Sequence, residues 1–214
     1  MTDQPPAPTE NDRQTADNVA IVILAAGAAR RMGQDKLLLP VNGLPLLRHA
    51  ALAALGARVP VLAVLPAGRR GMARQAALTG LSVRIVRISE TRHGMGASLS
   101  AGLAALPQKI AAAVVSLADM PAIDAAAFRR LITAWQSAPA CIHRGATEDG
   151  RPGHPVVLPR ALFADRPFHG DQGARDLLRE RRDLVRLVPL PGNAARCDID
   201  TPVDWQAWQR RENG

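Results

Sequence analysis

Short apolar runs alternate with segments of helical spacing along most of the chain. Apolar runs bounded by glycine or polar residues predict buried strands, and apolar residues three or four apart predict helices. The first apolar run starts at Val19 and predicts a strand that ends before Ala25. Helices are then predicted over 44–57, 69–78, 94–106 and 123–136, and strands over 59–65, 83–88 and 110–118.

Repeated strand–helix units of this length predict a three-layer α/β/α sandwich with a mostly parallel, Rossmann-like sheet. Ligands of such sheets bind beyond the carboxyl ends of the strands. After residue 138 the pattern loosens, and short apolar runs at 156–158 and 184–188 predict a small antiparallel C-terminal insertion over that crevice. We expect a single domain over 19–210, preceded by a polar, disordered leader over 1–18.

The first strand empties into a loop of small residues and cations, LAAGAARRMGQDK, over residues 24–36. Small residues let backbone N–H groups approach a phosphate, and the cations add charge. A plain turn with solvated cations is the alternative. Neither a P-loop nor a dinucleotide fingerprint fits, because Gln34 follows Gly33 and Ala29 lies two residues after Gly27. The candidates are Leu24, Ala25, Ala26, Gly27 and Gly33 for backbone contacts, and Arg31 and Lys36 for charge.

Two acidic segments are candidate metal ligands. Asp119 ends an apolar run, and a carboxylate there is costly unless it is paired or binds a metal. Mg²⁺ that binds with substrate phosphates uses one or two such groups. Capping of the following helix is the alternative for Asp119. Asp198 and Asp200 lie two residues apart in a predicted short strand before Pro202, so both carboxylates are expected on the same side of it. The alternative is that these two acids and Asp204 cap the last helix.

Composition narrows the partners. The chain carries a net charge of +8, but only 3% of its residues are aromatic, so stacking platforms for bases are scarce. A basic enzyme that acts on anionic small molecules explains the charge as well, and we expect no nucleic-acid partner. No apolar run approaches the ~20 residues that span a bilayer. With only two cysteines and no signal-peptide pattern, we expect a cytoplasmic protein without a membrane partner.

Several motifs occur in one order: L-A-A-G with R-M-G-x-x-K, then G-M-G-x-S-L, L-A-D-M-P, G-H-P, G-D-x-G-A-R and D-I-D-T-P. Together they closely resemble the MobA-like nucleotidyltransferases, in particular the molybdenum cofactor cytidylyltransferases. The chain departs from the family at Ala29, where a serine is usual. It departs again at 88–90, Ile-Ser-Glu, near where Asn-Pro is frequent.

The resemblance implies a site as well as a fold. It implies that the helix start at Gly96 and Ser98 lies near the nucleotide, where free N–H groups favour an anion or a base edge. It implies Mg²⁺ at Asp119 and Asp200. His154, Asp171 and Arg175 are the implied acceptor contacts. A plain helix residue at Ser98, a structural histidine and an Asp171–Arg175 helix pair are the alternatives.

The implied reaction is transfer of a nucleotidyl group from CTP to molybdopterin, with release of pyrophosphate. The warrant for CTP is the Ala25-Ala26 pair, because guanylyl-transferring relatives resemble L-A-G-G there. GTP with molybdopterin, or cytidylyl transfer to a sugar or polyol phosphate, are the alternatives of the same class. A non-catalytic nucleotide-binding or chaperone-like partner of a molybdoenzyme is the alternative of another class, and transient contact with such an enzyme or its chaperone is expected.

Overall fold

The computed structural model describes residues 18–27, 32–89, 94–170 and 172–212. In this part of the chain nine strands alternate with six α-helices. The strands are β1 (Val19–Leu24), β2 (Pro40–Val41), β3 (Leu44–Pro45), β4 (Val61–Pro66), β5 (Val83–Ile88), β6 (Ala112–Leu117), β7 (Ile142–Ala146), β8 (Pro152–Pro159) and β9 (Val185–Pro189). The helices are α1 (Leu46–Leu55), α2 (Gly68–Ala77), α3 (Met95–Ala104), α4 (Ala125–Ser137), α5 (Arg175–Glu180) and α6 (Pro202–Glu212).

Seven of the described strands form one sheet, in the order β5-β4-β1-β6-β8-β7-β9. β1 pairs in parallel with β4 and β6, and β4 pairs in parallel with β5. β8 runs antiparallel to β6 and β7, whereas β9 is parallel to β7. The predicted mostly parallel sheet is confirmed. Its late strands extend the β6 edge rather than lying as a separate insertion over the crevice, because β8 is apolar enough to be buried between two neighbours.

Helices cover both faces of the sheet. Successive residues of a strand point to opposite faces, so Ile21 and Ile23 pack with α1 and α4, and Val22 packs with α3 and α5. Gly102 lets α3 lie close to the sheet, since a Cβ there would fall 2.5 Å from Val22 Cγ1. The predicted three-layer sandwich is therefore confirmed.

The start of α1 differs from the prediction by two residues for a clear reason. The helix predicted from residue 44 begins at Leu46, because Leu44–Pro45 pairs with Pro40–Val41 in a short hairpin. Asn42 and Gly43 form its turn at φ 49° and 75°, a conformation that suits Asn-Gly. The other boundaries in this half differ from prediction by one or two residues.

Two later segments differ more. β7 was not predicted, because its sequence IHRGA has no apolar run. The strand predicted around Asp198 and Asp200 is irregular backbone. There the Ile199 amide donates to the Asp119 carbonyl at 2.9 Å, so the segment is held by a loop contact instead of a strand ladder.

No helix among the described residues is long and apolar enough to cross a membrane. Of the predicted leader, the structure describes Asn18 alone, and the rest of the leader prediction lies outside the described residues.

Candidate active site

The carboxyl ends of β1 and β6 bring the candidate site together. The strands are in register from Val19 to Leu24, so the loop after β1 and the segment after β6 emerge side by side. The Ala118 amide donates to the Leu24 carbonyl at 3.2 Å, which continues the pairing past β6. Asp119 therefore leaves the sheet next to the small-residue loop.

Lys36 joins the two predicted metal carboxylates. Its Nζ lies 2.6 Å from Asp119 Oδ2 and 2.6 Å from Asp200 Oδ1. The Lys36 and Asp119 side chains are 13% and 17% exposed, and Asp200 is 42% exposed. Asp200 reaches the site because the Ile199 amide fixes its segment against Asp119. Three residues far apart in sequence thus form one cluster, called here the Lys36 cluster.

The two carboxylates of the Lys36 cluster stabilise the ammonium as a cation. Burial by itself lowers the pKa of Lys36, but the charges and hydrogen bonds of Asp119 and Asp200 outweigh it and raise the pKa above its ordinary value. Lys36 is therefore a cation at neutral pH. Nearby Asp198 has a raised pKa, first because of burial and then because the negative charges of Asp119 and Asp200 repel its own.

The structure shows which acids cap helices α6 and α4. Asp204 accepts from the Thr201 amide at 2.7 Å and from the Asp200 amide at 3.2 Å, so it caps the start of α6. Asp124, not Asp119, caps α4, because its Oδ1 accepts from the Ala127 amide at 2.7 Å. Asp119 and Asp200 are therefore available for the Lys36 cluster.

The cluster fits a divalent cation. Two carboxylates already share one positive atom, and Asp119 Oδ1 is buried without a hydrogen-bond partner. No group of three or more His, Cys, Asp or Glu side chains among the described residues is arranged to hold a metal ion. A metal here would thus take its remaining ligands from phosphates and water, which is the usual habit of Mg²⁺.

A buried ion pair lies beneath the loop. Arg74 of α2 is 0% exposed, and its Nε and Nη2 donate to the two carboxylate oxygens of Asp35, each at 2.9 Å. Nη1 donates to the Ala25 carbonyl at 2.6 Å and Nη2 to the Gly27 carbonyl at 2.9 Å. Arg74 therefore ties the end of β1 to the turn that carries Lys36.

The structure shows why sequence reasoning missed Arg74. Its helix reads GRRGMARQAA, in which three arginines suggest a solvated face. The available signal is helical spacing, since Gly71, Arg74 and Leu78 share one buried face. A Cβ at Gly71 would lie 1.7 Å from the Pro66 carbonyl oxygen, so glycine is what lets α2 approach the sheet and bury the arginine.

The other loop candidates are placed as follows. Leu24 and Ala25 are buried, Ala26 is half-buried and Gly27 is exposed. Gly33 has φ 68°, where glycine is favoured. Arg31 and Ala29 lie outside the described residues, so the charge predicted for Arg31 and the effect of the missing serine stay predictions.

The start of α3 differs from the expectation of free amides. The Gly96 amide donates to the Gly170 carbonyl at 2.8 Å, and a Cβ at Gly96 would fall 2.6 Å from the His169 carbonyl. This N–H is thus occupied by the 169–170 segment, and the glycine is required for that close approach. Ser98 is 6% exposed within α3. The predicted roles of Gly96 and Ser98 toward a nucleotide stay untested.

Of the predicted acceptor residues, His154 lies in β8, next to β6. Continuing the β6–β8 register puts His154 beside Leu117, two residues before Asp119. Burial, followed by the charge of Arg144, lowers the pKa of His154 to about 4, so the ring is neutral at pH 7. Arg175 begins α5, and its charge also acts on His154. Asp171 lies outside the described residues.

A loop of small residues beside a lysine–carboxylate cluster, on an α/β sandwich, is an arrangement typical of nucleotide-handling enzymes. Residues 21–185 match the family model described as "MobA-like NTP transferase domain", and the chain belongs to this family. The predicted family and the predicted enzyme class, nucleotidyltransferase, are confirmed.

Two curated relatives show the range of named activities in its neighbourhood. "Nicotine blue oxidoreductase" of Paenarthrobacter nicotinovorans is 34% identical over 191 residues, covering 84% of this chain and 91% of the relative. A "Probable molybdenum cofactor guanylyltransferase" of Synechococcus elongatus is 31% identical over 207 residues, covering 90% and 98%. The molybdenum cofactor link is therefore supported, whereas neither relative is named a cytidylyltransferase.

Among solved structures, Rv0371c from Mycobacterium tuberculosis H37Rv superposes with a TM-score of 0.78 at 29% identity, covering 89% of this chain and 96% of that one. A structure of the same protein in complex with manganese gives a TM-score of 0.74 at 27% identity, covering 89% and 97%. A divalent cation is thus recorded in a similar protein.

Proposed function

We propose that the protein transfers a cytidylyl group from CTP to the phosphate of molybdopterin and releases pyrophosphate, with Mg²⁺ as cofactor. The observation that carries the proposal is the Lys36 cluster, in which Asp119 and Asp200 share one cation beside the loop after β1. The geometry suits an enzyme that binds a polyphosphate and a metal together.

Each residue has a proposed task in this reaction. Backbone groups of residues 24–27 and 33 hold the triphosphate, and Arg31 and Lys36 stabilise the charge that develops on the phosphates. Mg²⁺ held by Asp119 and Asp200 would neutralise phosphate oxygens. No protein nucleophile is needed, because the acceptor phosphate is already anionic. In this proposal Gly96 and Ser98 contact the nucleotide, and His154, Asp171 and Arg175 contact the acceptor.

The proposed preference for CTP rests on Ala26. The half-buried Ala26 places a methyl group where a guanylyl-type loop has glycine, and a methyl crowds a purine more than a pyrimidine. The guanylyltransferase relative favours GTP instead. A ratio of kcat/KM for CTP over GTP well above one in the wild type supports the cytidylyl reading, and equal use of GTP replaces it with the guanylyl reading.

The relative named nicotine blue oxidoreductase favours a second candidate, an oxidoreductase function on the same scaffold. A third, a nucleotide-binding partner of a molybdoenzyme without turnover, is favoured by Ala29 in place of serine. We place the protein in the cytoplasm, where transient contact with a molybdoenzyme or its chaperone is possible for any of the three.

One screen separates the candidates. The four nucleoside triphosphates are combined with Mg²⁺ and either molybdopterin, a sugar phosphate or a polyol phosphate, and pyrophosphate is measured; NADH or NADPH consumption is followed in parallel. Pyrophosphate formed from CTP only with molybdopterin is the expected result. Pyrophosphate formed with a sugar phosphate would identify that compound as the acceptor instead of molybdopterin. Oxidation of NADH or NADPH would support the oxidoreductase, and tight binding of CTP without any product would support the non-catalytic binding partner.

A further inference from the structure

Two arginines hold the start of β8 from opposite sides. Arg144 of β7 donates from Nε to the Gly153 carbonyl at 2.9 Å. Arg196, in the 3₁₀ turn Ala194–Arg196, donates from Nη1 to the neighbouring Pro152 carbonyl at 3.1 Å. The two guanidinium groups therefore bind neighbouring peptide units just before His154, and they lie close enough for the charge of Arg196 to act on Arg144.

Two glycines make this approach possible. A Cβ at Gly153 would lie 1.8 Å from the Ala195 carbonyl oxygen, so only glycine lets the 194–196 turn dock on β8. A Cβ at Gly145 would lie 2.7 Å from the His154 carbonyl oxygen. The β7–β8 register shifts between Arg144 and Ala146, and bulges of this kind re-aim side chains near sites.

Other cations surround the pair. Among the described residues, neither Arg144, Arg196 nor Arg175 forms an ion pair with Asp or Glu. Burial, and then the charges of Arg196 and Arg175, lower the pKa of Arg144, which shows that the three cations act on one another. His154 adds a buried Nδ1 without a hydrogen-bond partner.

The turn that carries Arg196 is linked to the Lys36 cluster through the chain. Arg196 precedes Asp200 by four residues, and the intervening Ile199 amide is bonded to the Asp119 carbonyl. β7 runs in the same direction as β6, and Arg144 is level with Val115 of β6 through Val156 of β8, four residues before Asp119. Arginines that lie close together and form no ion pair within the described part of the chain favour a dianionic ligand, and guanidinium forks match phosphate oxygens.

We propose that Arg144 and Arg196, facing Arg175, form a subsite for a phosphomonoester, the phosphate of the acceptor. The inference deepens the proposed nucleotidyl transfer and rests on it for its place in the reaction. Arg144 and Arg196 bind the ligand by charge-assisted hydrogen bonds while they keep their contacts to β8, and His154 stays neutral beside them.

The test measures binding without turnover, so that it stands apart from the proposed reaction. Inorganic phosphate is titrated calorimetrically into the full-length wild type and into Arg144→Gln and Arg196→Gln, with acetate as a carboxylate probe. We expect phosphate to bind several-fold more tightly than acetate, and each variant to weaken phosphate binding about tenfold. Arg210→Gln, an exposed arginine of α6, is the matched control and should bind phosphate like the wild type.

Arg144→Lys guards against misfolding, because it keeps the charge and should retain most of the phosphate affinity if a melting curve shows the fold intact. The inference is overturned if Arg144→Gln and Arg196→Gln, both folded, bind phosphate as the wild type does. It is also overturned if acetate binds as tightly as phosphate. Loss of nucleotidyl transfer in the functional screen with phosphate binding intact would instead refute the proposed function alone.

Discussion

Asp119 and Asp124 lie five residues apart and are used differently. Asp124 Oδ1 accepts a hydrogen bond from the Ala127 amide at the start of α4. Asp119 has a buried Oδ1 without a hydrogen-bond partner, and its Oδ2 accepts from Lys36, which also donates to Asp200. Sequence reasoning located Asp119 and Lys36 because both interrupt patterns that are otherwise apolar or small. It could not locate Arg74 or Asp35, because their pairing depends on how closely α2 packs.

Asp119→Asn should lower kcat by at least about 100-fold at saturating Mg²⁺, since the amide loses the charge that a metal needs. Mn²⁺ binding, followed by electron paramagnetic resonance, should weaken in parallel. Asp124→Asn is the matched control, because asparagine also caps a helix and leaves the cluster untouched. Near-normal turnover of Asp119→Asn would remove the metal role.

His154 gives the protein a specific pH dependence. Its pKa of about 4 in the folded state lies below the ordinary 6.5, so the unfolded state takes up the proton first as the pH falls. The stability that His154 contributes is complete above about pH 6.5 and is lost as the pH falls toward 4. Between pH 7 and 4.5 the wild type should lose about 2 kcal/mol more of its unfolding free energy than His154→Gln. The unfolding free energies are measured by urea titration at both pH values. If the wild type and His154→Gln lose the same amount of unfolding free energy between pH 7 and 4.5, the assignment is contradicted.

Helices and strands were predictable in the first half of the chain, where apolar runs are short and glycine-bounded. Later elements were less so, because β7 carries His, Arg and Gly, and residues 197–200 are held by the Asp119 loop instead of a strand. Their positions depend on close contacts that a single sequence does not display, such as that of Gly153 with Ala195.

Arg74 connects α2 to the loop after β1, so its loss should affect both stability and binding. Arg74→Met leaves Asp35 and the Ala25 and Gly27 carbonyls without their donor, and breaking a buried ion pair costs about 3–5 kcal/mol. We expect a fall of that order in unfolding free energy and a raised KM for the triphosphate.

Arg74→Lys should recover only part of both quantities, because one ammonium cannot replace a guanidinium at four contacts. Arg70→Gln, an exposed residue on the same helix, should leave both unchanged. A folded Arg74→Met with the wild-type KM would show that the pair does not position the loop.

Gly153→Ala tests the docking of the 194–196 turn on β8. The new methyl would overlap the Ala195 carbonyl, so the backbone must shift, at a cost of about 1–3 kcal/mol. Acceptor KM should rise more than triphosphate KM, because the turn carries Arg196. Gln136→Ala, at an exposed position of α4, is the control and should have little effect on either constant. If Gly153→Ala unfolds with the wild-type free energy, the 194–196 turn can move away from β8 without cost, and glycine is not required for its docking.

The whole molecule carries two charge arrangements, the Lys36 cluster beyond the ends of β1 and β6 and the arginines at the start of β8. The Lys36 cluster joins segments from residues 36, 119 and 200, and the arginines join 144, 175 and 196. The sandwich was predictable because its strand–helix periodicity repeats, and the family motifs supplied the order of the site segments. The proximity of Arg144 and Arg196 was not predictable, because both bind the start of the antiparallel strand β8, whose register the sequence does not encode locally.

Transfer of the α-phosphate is the central claim, and following that phosphorus atom tests it directly. CTP labelled with ³²P at the α-phosphate is incubated with molybdopterin, Mg²⁺ and the wild type. The account predicts that the label enters a molybdopterin product in equal amount with the pyrophosphate released, and that Asp119→Asn forms neither. Label that stays in CTP, or appears only as CMP without an acceptor product, would contradict nucleotidyl transfer.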